Sequence, residues 1–239
     1  MPLASSIPQA ALAATIIASS VGTYIALSPP NPVTKSAPST GDWVRWANLT
    51  HRHTTKATLA PLGLLALHTS TLACLYPTIP SFVLRHGAEN GLNRSLITWS
   101  PETCIPLALI ICAGIPLRLV SYASLGKNFT FALTEPDHLK TTGIYRYVQH
   151  PSYTGIFILM LSNILLLGRT DGVLSCWVSP SWYESIGFLR WISTPIAWSL
   201  FLGGIWTRVN EEELMLRVKF GAEWERWHSR TARFIPYLL

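Results

Sequence analysis

Five apolar stretches alternate with polar ones along the chain, at about 8–28, 59–82, 102–120, 152–168 and 187–206. Each approaches the roughly 20 residues that a helix needs to cross the hydrocarbon of a bilayer. The pattern predicts an all-α integral membrane protein with about five transmembrane helices and a polar, helical C-terminal region beyond the last. The first stretch is rich in Ala and Ser but lacks the basic residues that open a signal peptide, so it reads as a retained helix. Pro61, Pro77, Pro106 and Pro116 fall in the second and third stretches. Membrane helices tolerate proline where neighbouring groups satisfy the freed carbonyls. The fourth stretch is short, ends at Arg169 and reads as a hairpin with the fifth. The Pro/Ser/Thr-rich run SPPNPVTKSAPST reads as a loop. Two parts follow: residues 1–120 with about three spans, and 121–239 with the hairpin and a polar tail.

Composition strengthens this picture. Of 239 residues, 49% are hydrophobic and 13% charged, with ten tryptophans; a soluble domain carries about a quarter charged residues. The net charge of +6 has no basic stripe with interleaved aromatics outside the apolar runs, which argues against a nucleic-acid partner. Cys74, Cys104, Cys112 and Cys176 lie in or beside apolar runs without CxxC spacing and read as small buried hydrophobes. Charge also sets an orientation. With five spans, loops 29–58 and 121–151, Arg118 and the tail from 207 share one side carrying fourteen Lys and Arg, against four on the other. The positive-inside rule makes the first side cytosolic.

Two polar clusters therefore share a compartment. One is LGKNFTFALTEPDHLKTTGIYRYVQHPSYTG; the other is RVNEEELMLRVKFGAEWERWHSRTARFIP. Arg208 and Glu212 lie four apart on one face of a continuing helix, with Glu213 one step round. A surface ion pair explains Arg208 and Glu212 alone, but three consecutive glutamates at a membrane surface call for a cationic partner. His150 before Pro151 is also the ordinary start of a helix, and Tyr145, Tyr147 and Tyr153 also suit an interfacial aromatic belt.

The chain from about Leu125 to Pro236 nevertheless resembles the isoprenylcysteine carboxyl methyltransferase family. The matching residues are Leu125-Gly126-Lys127-Asn128-Phe129, Gly143-Ile144-Tyr145, His150-Pro151-Ser152-Tyr153-Thr154-Gly155, Arg208 with Glu212-Glu213, Phe220-Gly221 with Trp224 and Trp227, and Pro236. Gln149 stands where the family has arginine, Asp137-His138-Leu139-Lys140 where it has H-x-L-V, Trp224 and Trp227 where it has tyrosines, and Ala232 where it has proline.

The resemblance implies a membrane enzyme using S-adenosylmethionine and no metal, at the cytosolic face of the endoplasmic reticulum. It would methylate the carboxylate of an isoprenylated cysteine at a protein C-terminus. By the same resemblance Arg208 grips the acceptor carboxylate and Glu212 binds the cationic methionine end of the donor. Asp137, His138, Leu139, Lys140, Tyr145, His150, Pro151, Ser152 and Tyr153 complete the donor site, and Glu213 supports it. Such a reaction needs alignment and dryness rather than a general base, because a carboxylate is already ionised at neutral pH. Two alternatives keep the donor site but change the acceptor, to a small prenylated metabolite acid or a phospholipid amine. A third is a non-enzymatic, sterol-reductase-like or scaffold membrane protein. The oligomeric state is not legible from the sequence.

Overall fold

The computed structural model describes residues 6–31, 52–131 and 133–236. Most of the expected 29–58 loop, with Lys35 and Arg45, lies outside the described residues. Among the described residues all regular secondary structure is helical, apart from one isolated bridge. The helices are α1 (Ile7–Leu27), α2 (Arg52–Leu75), α3 (Pro101–Leu109), α4 (Ile115–Leu125), α5 (Pro151–Leu167), α6 (Pro180–Phe220) and α7 (Ala222–His228), with shorter turns between them.

Three helical segments, Ile7–Leu27, His53–Leu75 and Arg94–Asn128, are long and apolar enough to cross a membrane, and Pro151–Leu167 is a shorter apolar helix. The second begins earlier and ends earlier than the 59–82 stretch suggests, because Pro77 and Pro80 cannot continue a helical ladder. The third contains a π turn, Ile110–Gly114, where the amide of Ile115 bonds the carbonyl of Ile110. Pro116 follows directly and has no N–H to give, so the helix relaxes by one residue there. Helix α6 runs 41 residues, well past both ends of the 187–206 stretch, and stops at Gly221, whose φ of +50° is a left-handed backbone that glycine adopts at least cost.

The chain divides into two compact units, each assembled from three separate segments. The first comprises Met1–Ile25, Leu59–Ile115 and Ile158–Ile196. In it Ser70 Oγ donates to the carbonyl of Ala13 at 2.9 Å, tying α2 to α1, and Asn163 Nδ2 donates to Thr23 Oγ1 at 3.3 Å. Helices pass closely at Gly114, where an added Cβ would lie 2.7 Å from Leu159 Cδ2. Small residues at such contacts let backbones approach, the usual device where lipid removes the hydrophobic drive. Arg169 grips Asp171 with Nε and Nη2 at 2.9 and 2.6 Å, and Asn93 Nδ2 adds a bond to Asp171 at 3.1 Å. The Arg169 hydrogen bonds hold the Asp171 carboxyl below its ordinary pKa, against the opposing effect of burial.

The second unit comprises Ala26–Thr58, Pro116–Phe157 and Ala197–Leu239. Its interior holds Arg118, 2% exposed. The guanidinium donates to the carbonyl of Ala26 through Nε at 2.9 Å, to Ser152 Oγ and to the Tyr122 hydroxyl. It also lies over the rings of Tyr122, Phe129 and Phe131, at 4.7, 5.6 and 5.4 Å from their centroids. Neutral oxygens and ring faces thus solvate a cation deep in the protein.

Candidate active site

All the polar motifs of the C-terminal half lie in the second unit. Gly143, at φ +66°, opens a one-turn helix Gly143–Arg146 that buries Tyr145. The chain then extends through Val148, which pairs in parallel with Ala232. The amides of Gln149 and His150 donate to the carbonyls of Ala232 and Arg233 at 2.8 and 2.9 Å. Pro151 follows as the first residue of α5, a position where its missing N–H costs nothing. One turn on, Thr154 Oγ1 donates to the carbonyl of Phe234 at 3.0 Å. The final segment of the chain is stitched to the turn that carries His150.

Gln149 locks this arrangement. It is 4% exposed; its amide donates to the carbonyls of His228 and Thr231, and its Oε1 lies 2.9 Å from His228 Nδ1. An arginine would carry only donors at this place, whereas glutamine both gives and accepts. The imidazole of His228 in turn stacks on Trp224, with centroids 4.3 Å apart and planes 17° from parallel. Trp227 Nε1 donates to the carbonyl of Tyr145 at 2.8 Å. Both tryptophans that replace family tyrosines are therefore packed against the tail and the turn, not held out in solvent.

Helix α6 meets the same turn. Tyr153 donates its hydroxyl to Glu212 Oε2 at 3.0 Å, and His150 Nε2 lies 3.1 Å from Glu213 Oε1. The other oxygen of Glu213 accepts from Arg233 Nη2 at 2.8 Å. Burial alone would raise the Glu213 carboxyl, but the hydrogen bond and charge of His150 and then the charge of Arg233 outweigh it, so the group is held below its usual pKa. Arg208, 5% exposed, donates through Nη2 to the carbonyl of Phe131 at 2.6 Å. The phenol of Tyr145 is pushed above its ordinary pKa, first by burial and then by the negative charge of Glu212. Tyr145, His150, Tyr153, Arg208, Glu212 and Glu213 thus form one cluster. The arrangement couples an anionic centre at Glu212 with a buried guanidinium one helical turn away.

The remaining residues singled out from sequence behave differently. Pro151 is buried, and Ser152 spends its hydroxyl on Arg118. Asp137 is exposed and faces Lys127 at 3.8 Å, with both side chains largely in solvent. His138 is exposed, while Leu139 and Lys140 are half-buried. Among the described residues Asp137 pairs with Lys127, and none of these four is joined by a hydrogen bond or ion pair to the cluster around Glu212. Sequence reasoning missed two contributors. Arg118 entered only as a charge for orientation, although an arginine at the end of an apolar run is itself a signal of a buried polar role. Arg233 gave no signal, because nothing in the spacing of the tail points it at Glu213.

Comparison with known proteins adds an independent line. The model of the isoprenylcysteine carboxyl methyltransferase family matches residues 107–184. The protein-S-isoprenylcysteine O-methyltransferase of Schizosaccharomyces pombe is 29% identical over 132 residues, which cover 54% of this chain and 47% of that protein. The Dictyostelium discoideum protein of the same name is 35% identical over 133 residues, again 54% and 47%. The human one is 25% identical over 150 residues, 59% and 43%. The chain spans about half the length of these curated relatives. No solved structure gives a significant match. The family match ends at residue 184, ahead of Arg208 and Glu212, so the geometry of α6 is a finding separate from it. With three apolar helices of membrane-spanning length the chain is an integral membrane protein, and over residues 107–184, which contain the His150–Tyr153 turn, it is similar to the isoprenylcysteine carboxyl methyltransferase family.

Proposed function

We propose that the protein transfers a methyl group from S-adenosylmethionine to the C-terminal carboxylate of an isoprenylated cysteine. The observation that carries this reading is the meeting of Tyr153 with Glu212 and of His150 with Glu213, close to the buried Arg208. A carboxylate offers about four acceptor positions, and the bond from Tyr153 to Glu212 takes up one of them, leaving capacity for a ligand's cationic ammonium. The residues present therefore fit the methionine end of the donor. The donor supplies an electrophilic methyl on a sulfonium.

The protein's own part is binding and alignment. Glu212, oriented by Tyr153, holds the positive end of the donor. Tyr145, His150, Pro151 and Ser152 form the wall behind it, and the stretch Asp137-His138-Leu139-Lys140 closes its outer edge. Arg208 holds the acceptor carboxylate with its planar fork, fixing one oxygen for in-line attack. The bond from that oxygen to the methyl carbon forms as the carbon–sulfur bond breaks, and the electron pair stays on sulfur. No proton moves, so no general base and no metal are called for. Two opposite charges merge as the reaction proceeds, which a dry pocket favours.

The reading extends to placement. Pro151–Leu167 and the 187–206 part of α6 complete about five spans, with the His150 turn and the tail on the cytosolic side of the endoplasmic reticulum. A prenylated small-molecule acid would meet the same Arg208, whereas a protonated phospholipid amine would be repelled by it; the carboxylate is favoured for that reason. The test supplies purified full-length protein in detergent with labelled S-adenosylmethionine and N-acetyl-S-farnesylcysteine. Base-labile incorporation of label is the expected result. No incorporation with any prenylated acid, together with no binding of S-adenosylmethionine, would overturn the proposal and favour the non-enzymatic reading.

A further inference from the structure

Arg118 of α4 is a charge that the proposed reaction does not use. Its partners among the described residues are all neutral: the carbonyl of Ala26, the hydroxyls of Ser152 and Tyr122, and three aromatic rings. A cation buried without a carboxylate is costly to keep, and neutral oxygens and ring faces offset only part of that cost. What those partners do elsewhere in the second unit gives the cation a use.

Two of them lead to opposite ends of the candidate site. Ser152 accepts from Arg118, and its chain neighbour Tyr153 donates to Glu212 Oε2 at 3.0 Å. The first turn of α5 is thereby fastened on two sides, to α4 through Ser152 and to α6 through Tyr153. Phe131 leads the other way. Its ring centroid lies 5.4 Å from the Arg118 guanidinium, and its carbonyl accepts from Arg208 Nη2 at 2.6 Å. Phe131 lies outside any helix, so its backbone depends on the packing of its side chain. Phe129 completes the cluster, edge-on to Tyr122 at 4.3 Å and to Phe131 at 6.2 Å. One guanidinium thus touches the supports of both Glu212 and Arg208.

We infer that Arg118 is a positioning residue for both ends of the site, setting Glu212 for the donor through Ser152 and Tyr153, and Arg208 for the acceptor carboxylate through Phe131. The inference rests on the proposed carboxyl methylation for the identity of the two ligands; the contacts of Arg118 do not depend on it. Guanidinium chemistry suits the task. A planar fork donates to hydroxyls at its edge while its faces lie against rings, whereas an ammonium is a point charge that cannot reproduce both.

The test measures separate dissociation constants for S-adenosylmethionine and N-acetyl-S-farnesylcysteine on the full-length protein, with thermal unfolding and methyl transfer alongside. Arg118→Lys is expected to weaken both ligands about tenfold. Ser152→Ala is expected to weaken the donor alone, and Ser152→Thr, which keeps a hydroxyl, to restore it. Phe131→Leu keeps the carbonyl, loses the ring and is expected to weaken the acceptor alone. Residues acting in series are not additive, so Arg118→Lys with Ser152→Ala is expected to bind the donor no more weakly than Arg118→Lys. Arg169→Lys, which disrupts the fork on Asp171 in the first unit, is the structural control: a lower Tm with both constants unchanged. The same behaviour in Arg118→Lys, or additive losses in the double variant, overturns the inference. If Arg118→Lys fails to fold, Ser152→Ala and Phe131→Leu decide: losses confined to donor and acceptor respectively support it, and any other pattern overturns it. A parent that binds both ligands without methyl transfer removes the proposed reaction, while the constants still decide the role of Arg118. Methyl transfer by the parent, with parent-like constants in the variants, does the reverse. A parent that binds neither ligand overturns both.

Discussion

The turn 150–153 and the stretch 137–140 were assigned to one donor site by the same resemblance, yet they are built in opposite ways. His150 and Ser152 are 3% and 8% exposed, and each is bonded to a side chain from another helix. Asp137 pairs with Lys127 across 3.8 Å in solvent, and His138 is exposed. Buried polar groups are costly unless paired, so the first set is fixed by the fold before any ligand arrives. A solvent-exposed ion pair contributes little, so the second set is organised weakly until something binds it. In the proposed site the first motif serves as a wall and the second as an edge.

This contrast sharpens when each side is perturbed. The largest effect is expected from Arg208→Lys, which keeps the charge and loses the planar fork. Turnover should fall by about 100-fold or more while S-adenosylmethionine still binds, and near-normal turnover in a saturating assay would argue against carboxylate gripping. Next is Glu212→Gln, which keeps the shape and the Tyr153 partner but removes the charge. Hydrogen bonds to charged groups contribute about 1.5–3 kcal/mol, so donor affinity should weaken by about tenfold to 100-fold in a direct titration. Donor affinity equal to the parent's would remove Glu212 from the site.

A smaller and purely structural effect belongs to Glu213. Its carboxyl has a lower pKa in the folded protein than in the unfolded chain. Its contribution to stability is therefore complete above the ordinary carboxylate range and is lost as pH falls through the depressed value. Thermal unfolding should show an acid-side loss of stability that Glu213→Gln reduces; identical pH profiles for the two proteins would contradict the role of the His150–Glu213–Arg233 chain. The smallest effect is expected from Asp137→Ala. Breaking an exposed pair should change stability by less than about 1 kcal/mol, and any functional change should appear in KM for S-adenosylmethionine with kcat preserved. A collapse in stability would mean that 137–140 belongs to the wall after all.

The legible parts of the molecule were those governed by local composition and period. Runs of apolar residues marked α1, α3 with α4, and α5 to within a few residues, because a bilayer-length helix must be apolar along its whole length. The four-residue spacing of Arg208 and Glu212 placed them on one face. The extent of α6 was less legible, since its apolar middle continues without a break into polar ends that are equally helical. Arg118 was underestimated because its partners are a carbonyl 92 residues away, Ser152 and aromatic rings, none of which is local in sequence.

By itself, the sequence determined that the chain is helical with segments apolar enough to cross a membrane, and it singled out the residues proposed for a methyl-donor and carboxylate site. Those follow from hydropathy and from motif spacing along single helices. Only the tertiary structure decided which of these residues meet: that Glu213 turns to His150 and Arg233, that Glu212 turns to Tyr153, and that Gln149 ties down the tail. Three adjacent glutamates look alike in one dimension. Successive residues on a helix point about 100° apart, so their neighbours, and hence their roles, are set by which helix faces each of them.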